Sequence, residues 1–170
     1  QGLIANLPLH TALEIGSGEG HLIEYIQAVR PDLLWTGSDI TYEMVKVGRM
    51  NVPDASWSIH VGEALPFHDA SFDVVLACEV LEHVRQPALV LQEMSRVSVR
   101  YGLVSVPWEP WWRILNVLRG KYLRHGGNTP GHLNHWSRRG VLQLVSTIFH
   151  VSQVHLAVPW VFLLAEKRSS

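Results

Sequence analysis

Three glycines in the stretch LEIGSGEG, residues 13–20, show the spacing that most clearly indicates chemistry. Gly16, Gly18 and Gly20 follow a short apolar run, and a helical pattern begins directly after them. Glycine permits a tight turn and lets a ligand approach the backbone closely. The free N–H groups at the start of a helix attract a carboxylate or a phosphate. The pattern predicts a ligand-binding loop, although a plain strand–helix turn also tolerates glycines.

A second signal is the acidic residue Asp39, which lies at the end of the next apolar run. A carboxylate there can accept two hydrogen bonds from a ribose diol, and its charge disfavours a phosphate. An Asp after a strand is more often a turn residue, but the register with the glycine loop favours the binding role. A dinucleotide fingerprint needs G-x-G-x-x-G/A, and counting from Gly16 its third position falls on His21. A nicotinamide-dependent oxidoreductase is therefore the less favoured alternative.

The most specific signal is VGEALPFHDASFDVVLACEVLEHV, residues 61–84. It resembles the small-molecule branch of the class I S-adenosylmethionine-dependent methyltransferases, the branch similar to ubiquinone and menaquinone methyltransferases. The acidic-x-G-x-G-x-G pattern that begins at Glu14 resembles the first motif of the same family. The resemblance extends over residues 11–106, and beyond them only the architecture is similar.

The resemblance implies S-adenosylmethionine as the cofactor, with S-adenosylhomocysteine as the product. It implies that Glu63 and the backbone at Ala64 recognise the adenine edge and that Leu65 packs near the base. Cys78 and Glu79 would border the methionine part or the acceptor. The whole implied cofactor-binding set is Glu14, Gly16, Ser17, Gly18, Gly20, Asp39, Ile40, Glu63, Ala64, Leu65, Cys78 and Glu79.

Three histidines are candidates for a general base in catalysis. His83 belongs to the LEHV motif, and His132 and His135 lie in GNTPGHLNHWS. Histidine suits this role because it titrates near neutral pH, but His83 has a structural alternative, which is to orient a loop through a hydrogen bond. His132 and His135, together with His125, could bind a metal ion. Because a fourth ligand and cysteines are lacking, we expect no metal.

The elements that must position these residues alternate between apolar strands and helical patterns. Strands that are apolar on both faces indicate a parallel sheet covered on both sides, and right-handed crossovers place helices on both faces. We therefore expect an α/β fold with a doubly wound, Rossmann-like, seven-stranded and mostly parallel sheet, in a single domain over residues 1–170. Ligands bind such sheets at the carboxyl ends, where the winding reverses. The predicted strands are residues 10–15, 33–38, 56–61, 72–77, 102–106, 151–156 and 160–165.

Residues 107–136 interrupt this alternation and are expected to select the acceptor. Trp108, Trp111 and Trp112 cluster there, and residues 114–118 offer an apolar helix face. This segment is either a lid helix on the core, an apolar acceptor pocket or a peripheral membrane contact through the three tryptophans. We expect a small apolar or amphipathic acceptor, such as a quinone, a lipid or a natural-product intermediate.

Composition excludes several other classes of protein. The 170-residue chain has a net charge of −1 and shows no basic stripe, so no nucleic-acid partner is expected. It has one cysteine, Cys78, and we expect a cytoplasmic location. The sequence begins close to the first strand, whereas the family usually has one or two helices there. A non-catalytic domain that binds cofactor or partner is therefore a further alternative.

Overall fold

The computed structural model describes residues 3–109, 111–120, 129 and 131–168. Strands and helices alternate through the first part of the chain, and a helix and a strand pair close the fold. The strands are β1 Thr11–Ile15, β2 Leu34–Asp39, β3 Ser56–Ile59, β4 Phe72–Cys78, β5 Ser98–Pro107, β6 Phe149–Ala157 and β7 Trp160–Lys167. The helices are α1 His21–Gln27, α2 Tyr42–Asn51, α3 Pro87–Val97, α4 Trp111–Leu118 and α5 Arg138–Ile148.

The strands of the described residues form one seven-stranded sheet in the order β3-β2-β1-β4-β5-β7-β6. β1 to β5 pair in parallel, whereas β7 runs antiparallel to both β5 and β6. The predicted seven-stranded α/β sheet is confirmed, and the antiparallel β7 makes it a mixed sheet. Only Val158 and Pro159 separate β6 from β7. Such a short connection closes a hairpin and is too short for a parallel crossover.

Apolar residues fill both sides of the sheet. The central strand β4 is fully covered, with Val74, Val75, Leu76 and Ala77 all 0% exposed. On one side it packs against α3 and α5, and on the other against α1 and α2. A strand buried on both faces reads as a continuous apolar run, as FDVVLA does. The sheet is thereby held rigidly under the loops that follow β1, β2 and β4.

Trp57 explains why small residues surround the loop after β1. A Cβ atom would lie 2.8 Å from its ring at Gly20, 2.6 Å at Gly37 and 2.2 Å at Gly48. Such distances are shorter than carbon atoms tolerate, so these positions have room only for hydrogen. The indole Nε1 donates to the Val52 carbonyl at 3.1 Å. Trp57 thus joins β3, α2 and the glycine loop.

The residues at the N-cap positions of α5 and α2 make different side-chain contacts. Ser137 accepts a hydrogen bond from Gly140 N at 3.0 Å and caps α5. Thr41 occupies the N-cap position of α2 but makes no capping bond with its side chain. Its hydroxyl donates instead to Asp39 Oδ1 at 3.1 Å. The ionised carboxylate of Asp39 is a strong hydrogen-bond acceptor, so the Thr41 hydroxyl donates to it.

Strand ends also differ from the sequence expectation. β5 begins at Ser98 and not at residue 102, because Ser98 pairs with Phe72 on the neighbouring strand. β3 ends at Ile59, two residues before the predicted end. These ends depend on pairing partners distant in the chain, which local apolar pattern does not show.

Candidate functional site

The loop after β1 has the left-handed backbone that its glycines predict. The φ angles are 66° at Gly16, 53° at Gly18 and 83° at Gly20, a region that side chains with a Cβ atom adopt only at a cost. Ser17 ties the loop to β2, since its N–H and its hydroxyl donate to the Ser38 carbonyl at 2.8 and 3.0 Å. The loop is fixed before any ligand arrives.

Asp39 lies at the carboxyl end of β2 and connects two loops. Its Oδ2 accepts a hydrogen bond from Gly18 N at 3.1 Å. Its Oδ1 accepts from Thr41 N at 3.0 Å and from the Thr41 hydroxyl at 3.1 Å. The side chain is half-buried, and a carboxylate has room for further donors. Asp39 is therefore held in place with acceptor capacity left for a ligand.

A cleft of about 310 Å³ opens where the strand order reverses between β1 and β4. Ligand sites in proteins usually measure ~300–1,000 Å³, and this is the expected place for one. Of the residues singled out from sequence, Gly16, Asp39, Ile40, Glu63, Glu79 and His83 line the cleft. The other lining residues are Ile15, His60, Val61, Gly62, Val80 and Val84.

Sequence reasoning missed His60 and Val80 as parts of this wall. His60 makes an edge contact with Phe67, with ring centroids 5.3 Å apart, and burial lowers its pKa. Val80 limits the loop after β1, since a Cβ atom at Gly16 would lie 2.6 Å from its Cγ2. Gly16 therefore has to be glycine for two reasons, its φ angle and its neighbour. Val80 stands inside the recognised motif, so the signal was present.

Several expected cofactor residues lie behind the cleft wall. Leu65 is 5% exposed and packs in the core, and its N–H donates to Glu93 at 2.7 Å. The N–H of Ala64 donates to the Val61 carbonyl at 3.3 Å. Neither residue lines the cleft, and both instead hold the turn that presents Glu63.

Glu14 lies beneath the glycine loop on β1. The residue is 3% exposed, and its Oε2 has no hydrogen-bond partner. Burial raises the pKa of this carboxyl to about 8, because desolvation disfavours the charged form. Burial therefore favours the protonated form of Glu14.

A second cavity, of about 390 Å³, adjoins the first. Glu79 lines both cavities and separates them. Its carboxylate accepts from the Ser105 hydroxyl at 3.2 Å and from Trp160 Nε1 at 2.9 Å, and burial raises its pKa. Cys78 lies in this second wall, and burial raises the pKa of its thiol. The other lining residues are mostly apolar: Leu3, Ile4, Leu22, Tyr25, Ile26, Leu103, Ser105, Trp160 and Phe162.

The candidate base residues fall into two groups. His83 lines the cleft, and its ring lies against that of His132, with centroids 4.9 Å apart. The Nδ1 of His83 is 3.1 Å from the Gly131 carbonyl. This is the kind of contact expected if His83 has the structural role of orienting a loop. His135 lies apart from both cavity walls, with Nδ1 3.8 Å from Glu109 Oε1. His125 lies outside the described residues.

The tryptophans of residues 107–136 have different environments. Trp112 is half-buried, donates to the Thr129 hydroxyl at 3.0 Å and meets Trp160 edge-on at 5.7 Å. Trp108 is also half-buried. The apolar side of α4 faces solvent and not the core, with exposures of 44% at Trp111, 43% at Ile114, 41% at Val117 and 76% at Leu118. Within the described residues, no helix combines the length and the apolar character that crossing a membrane requires.

Comparison with known proteins identifies the family. Residues 13–106 match the model of the methyltransferase domain. A demethylmenaquinone methyltransferase of Roseiflexus sp. (strain RS-1) is 36% identical over 89 residues, which are 51% of this chain and 37% of that protein. The chain thus spans about a third of the length of that curated relative.

Solved structures agree in fold. The methyltransferase–activator complex of Haloferax volcanii gives a TM-score of 0.79 at 16% identity, covering 99% of this chain and 88% of that one. Magnesium protoporphyrin IX methyltransferase from Synechocystis, with bound S-adenosylhomocysteine, gives 0.73 at 18% identity, covering 96% and 76%. Fold and cleft define a class I α/β methyltransferase domain. The chain belongs to the S-adenosylmethionine-dependent methyltransferase family.

Proposed function

We propose that this protein transfers a methyl group from S-adenosylmethionine to a small apolar or amphipathic acceptor. The observation that carries the proposal is a cleft at the strand reversal that is lined by three acidic residues, Asp39, Glu63 and Glu79, and that adjoins a largely apolar cavity, with Glu79 in the walls of both. The cleft would hold the cofactor and the apolar cavity the acceptor. The relative from Roseiflexus, a demethylmenaquinone methyltransferase, supports an acceptor of this kind.

The residues of the cleft fit the cofactor. Gly16 leaves no Cβ atom in the loop, and Asp39 offers acceptor capacity to a ribose diol. Glu63 also lines the cleft, and Ile40 and Val61 offer apolar surface there for a flat base. When bound, S-adenosylmethionine supplies an electrophilic methyl group on a positively charged sulfur.

The chain's own contribution is positioning and electrostatics. The carboxyl group of Glu79 lies at the junction of the two cavities, where negative charge favours a cationic ligand. Its hydrogen bonds from Ser105 and Trp160 fix its orientation. The largely apolar second cavity would exclude water from the reacting groups.

The proton of the acceptor would pass to one of the three histidines or to solvent. His83 is the one that lines the cleft, with His132 against it and His135 next to Glu109. A base role for His135 predicts that His135→Ala lowers the methyl-transfer rate most where the imidazole is neutral. An unchanged rate at every pH removes His135 from the mechanism.

The proposal includes a peripheral membrane contact, through which the protein would reach an apolar acceptor. Trp108 and Trp112 are half-buried, so the exposed side of α4 would carry this contact, with Trp111 and Leu118 at its surface. Leu118→Glu should reduce retention by liposomes containing anionic lipid. Equal retention of the variant and the original protein would exclude α4 as the contact.

The acceptor assignment is tested by filling the second cavity. We expect Leu22→Trp to raise KM for a demethylated quinol acceptor at least tenfold and to leave the Kd of S-adenosylhomocysteine unchanged. Leu34→Trp is the matched control, because Leu34 is 71% exposed and lies outside both cavity walls. Equal effects of both variants would place the acceptor elsewhere. Cofactor binding without transfer to any of a panel of quinols, phenols and lipids would favour the non-catalytic alternative.

A further inference from the structure

Two distant segments are joined at the rim of the cleft. The turn after β4, residues 79–84, and residues 131–135 are linked by hydrogen bonds from backbone and side chain. The Glu82 carbonyl accepts from Leu133 N at 2.7 Å and from Asn134 N at 3.1 Å. The Asn134 amide donates to the Leu81 carbonyl at 2.9 Å and to the Val84 carbonyl at 2.7 Å. Side chains carried by both segments are thus held at fixed distances.

Three potential metal ligands, Glu82, His83 and His132, come together where these two segments are joined. One ligand atom each of Glu82, His83 and His132 lies within 4.8 Å of the others. Gly131 has a φ of 95° and directs its carbonyl to His83 Nδ1 at 3.1 Å. A metal-binding histidine usually donates one ring N–H to such a carbonyl, which leaves the other nitrogen to coordinate. Trp112 stacks on His132 with centroids 6.1 Å apart and fixes that ring.

The Glu82 side chain supplies an independent observation. The residue is 1% exposed, and neither carboxylate oxygen has a hydrogen-bond partner. A buried carboxylate without partners is strongly unfavourable, and buried charges are normally paired or coordinate metals. Among the residues that the structure describes, no arginine or lysine forms an ion pair with it. One ring nitrogen of His83 and one of His132 lie within 4.8 Å of this carboxylate, close enough for a cation to be shared among the three groups.

We propose that Glu82, His83 and His132 bind a divalent first-row transition metal ion. Two imidazoles and one carboxylate form a ligand set that zinc and iron sites share, and three protein ligands leave positions open. His83 also lines the cofactor cleft, so the open positions lie next to the proposed reaction site. Metal binding itself does not depend on the proposed methyl transfer.

The ligand set differs from the one that the sequence pattern offers. His132 and His135 form a His-x-x-His pair, but the structure turns His135 to Glu109. Glu82 and His83 replace it, from a segment about 50 positions earlier in the chain. Coordination would occupy the lone pairs of His83 and His132, which would leave His135 as the remaining candidate base.

The test measures metal binding by protein that a chelator has stripped of metal ions. Calorimetry measures the binding of Zn²⁺, and visible absorption measures the binding of Co²⁺. We expect one equivalent of each ion to bind to the original protein. Glu82→Gln, which keeps the shape of the side chain, and His132→Ala should each weaken binding at least tenfold. His135→Ala is the matched control and should bind as the original protein does.

Two outcomes would overturn the proposal. The first is that the original protein binds neither ion. Binding that Glu82→Gln leaves unchanged also overturns it, because the ion would then sit on surface histidines. Since neither readout uses S-adenosylmethionine, failure of the metal site and failure of the proposed methyl transfer are distinguished.

Discussion

Replacing Asp39 by Asn tests the assignment of the cofactor cleft to named atoms. The carboxylate accepts three hydrogen bonds within the protein, from Gly18 N, Thr41 N and the Thr41 hydroxyl. An amide has a single acceptor oxygen, so at least one of these donors loses its partner. We expect Asp39→Asn to lower the free energy of unfolding by about 1 kcal/mol.

The effect on the cofactor follows from the acceptor site that is left on the carboxylate. A carboxylate has about four acceptor sites, and three are used within the protein, so one hydrogen bond from a ribose hydroxyl remains. Hydrogen bonds to a charged group contribute about 1.5–3 kcal/mol and neutral ones about 0.5–1.5 kcal/mol, so loss of the charge at Asp39 costs about 1–1.5 kcal/mol of binding free energy. At 1.4 kcal/mol per factor of ten, the Kd of S-adenosylhomocysteine should rise about 5- to 12-fold.

The assay is isothermal titration calorimetry with S-adenosylhomocysteine, alongside thermal unfolding without ligand. The matched control is Glu43→Gln, because Glu43 is an exposed carboxylate on the first turn of α2 and lies outside the cleft wall. The control should bind as the original protein does. The reasoning is refuted if Asp39→Asn binds with unchanged affinity or if Glu43→Gln weakens binding equally.

Two further predictions concern backbone conformation and acid stability. Among the described residues, no atom lies within 4 Å of a Cβ added at Gly18 (φ 53°) or at Gly120 (φ 69°). The backbone angle is then what opposes the side chain, and each change to Ala should cost about 1–2 kcal/mol of stability. Only Gly18→Ala should weaken S-adenosylhomocysteine binding, and equal losses would refute the loop assignment. Partial burial opposes ionisation of Asp73, but hydrogen bonds from the N–H of His10 and from Thr11 outweigh it and hold its pKa below the ordinary 3.8. The carboxylate stabilises the fold above about pH 4 and ceases to do so as the pH falls through its lowered pKa. Urea unfolding of Asp73→Asn measured from pH 7 to 3 should therefore show a smaller loss of stability in acid than the original protein shows. Parallel stability curves of the two proteins would contradict this.

The part of the site that sequence predicts best is local in the chain. The glycine loop follows its strand directly, and its positive φ angles require glycine, so residue type alone indicates the conformation. Asp39 ends the neighbouring parallel strand, and parallel strands bring their carboxyl ends to one edge. A short-range pattern and one rule of topology are therefore enough to place both residues at the cleft.

The rest depends on packing between distant segments. Leu65 points into the core because Glu93 on α3 holds its backbone, and nothing near Leu65 in the sequence shows this. The neighbours of His132 are likewise set by hydrogen bonds between residues 79–84 and 131–135. The exposed apolar side of α4 also departs from the lid-on-core alternative, although its periodicity is helical.

The most direct test of the central claim is calorimetric titration of the protein with S-adenosylmethionine, S-adenosylhomocysteine and NAD. We predict one equivalent of each of the first two, bound in the micromolar range, and no heat of binding for NAD. Binding of NAD alone would contradict the assignment of the cleft. Absence of binding by all three would show that the cleft around Gly16 and Asp39 is not a cofactor site.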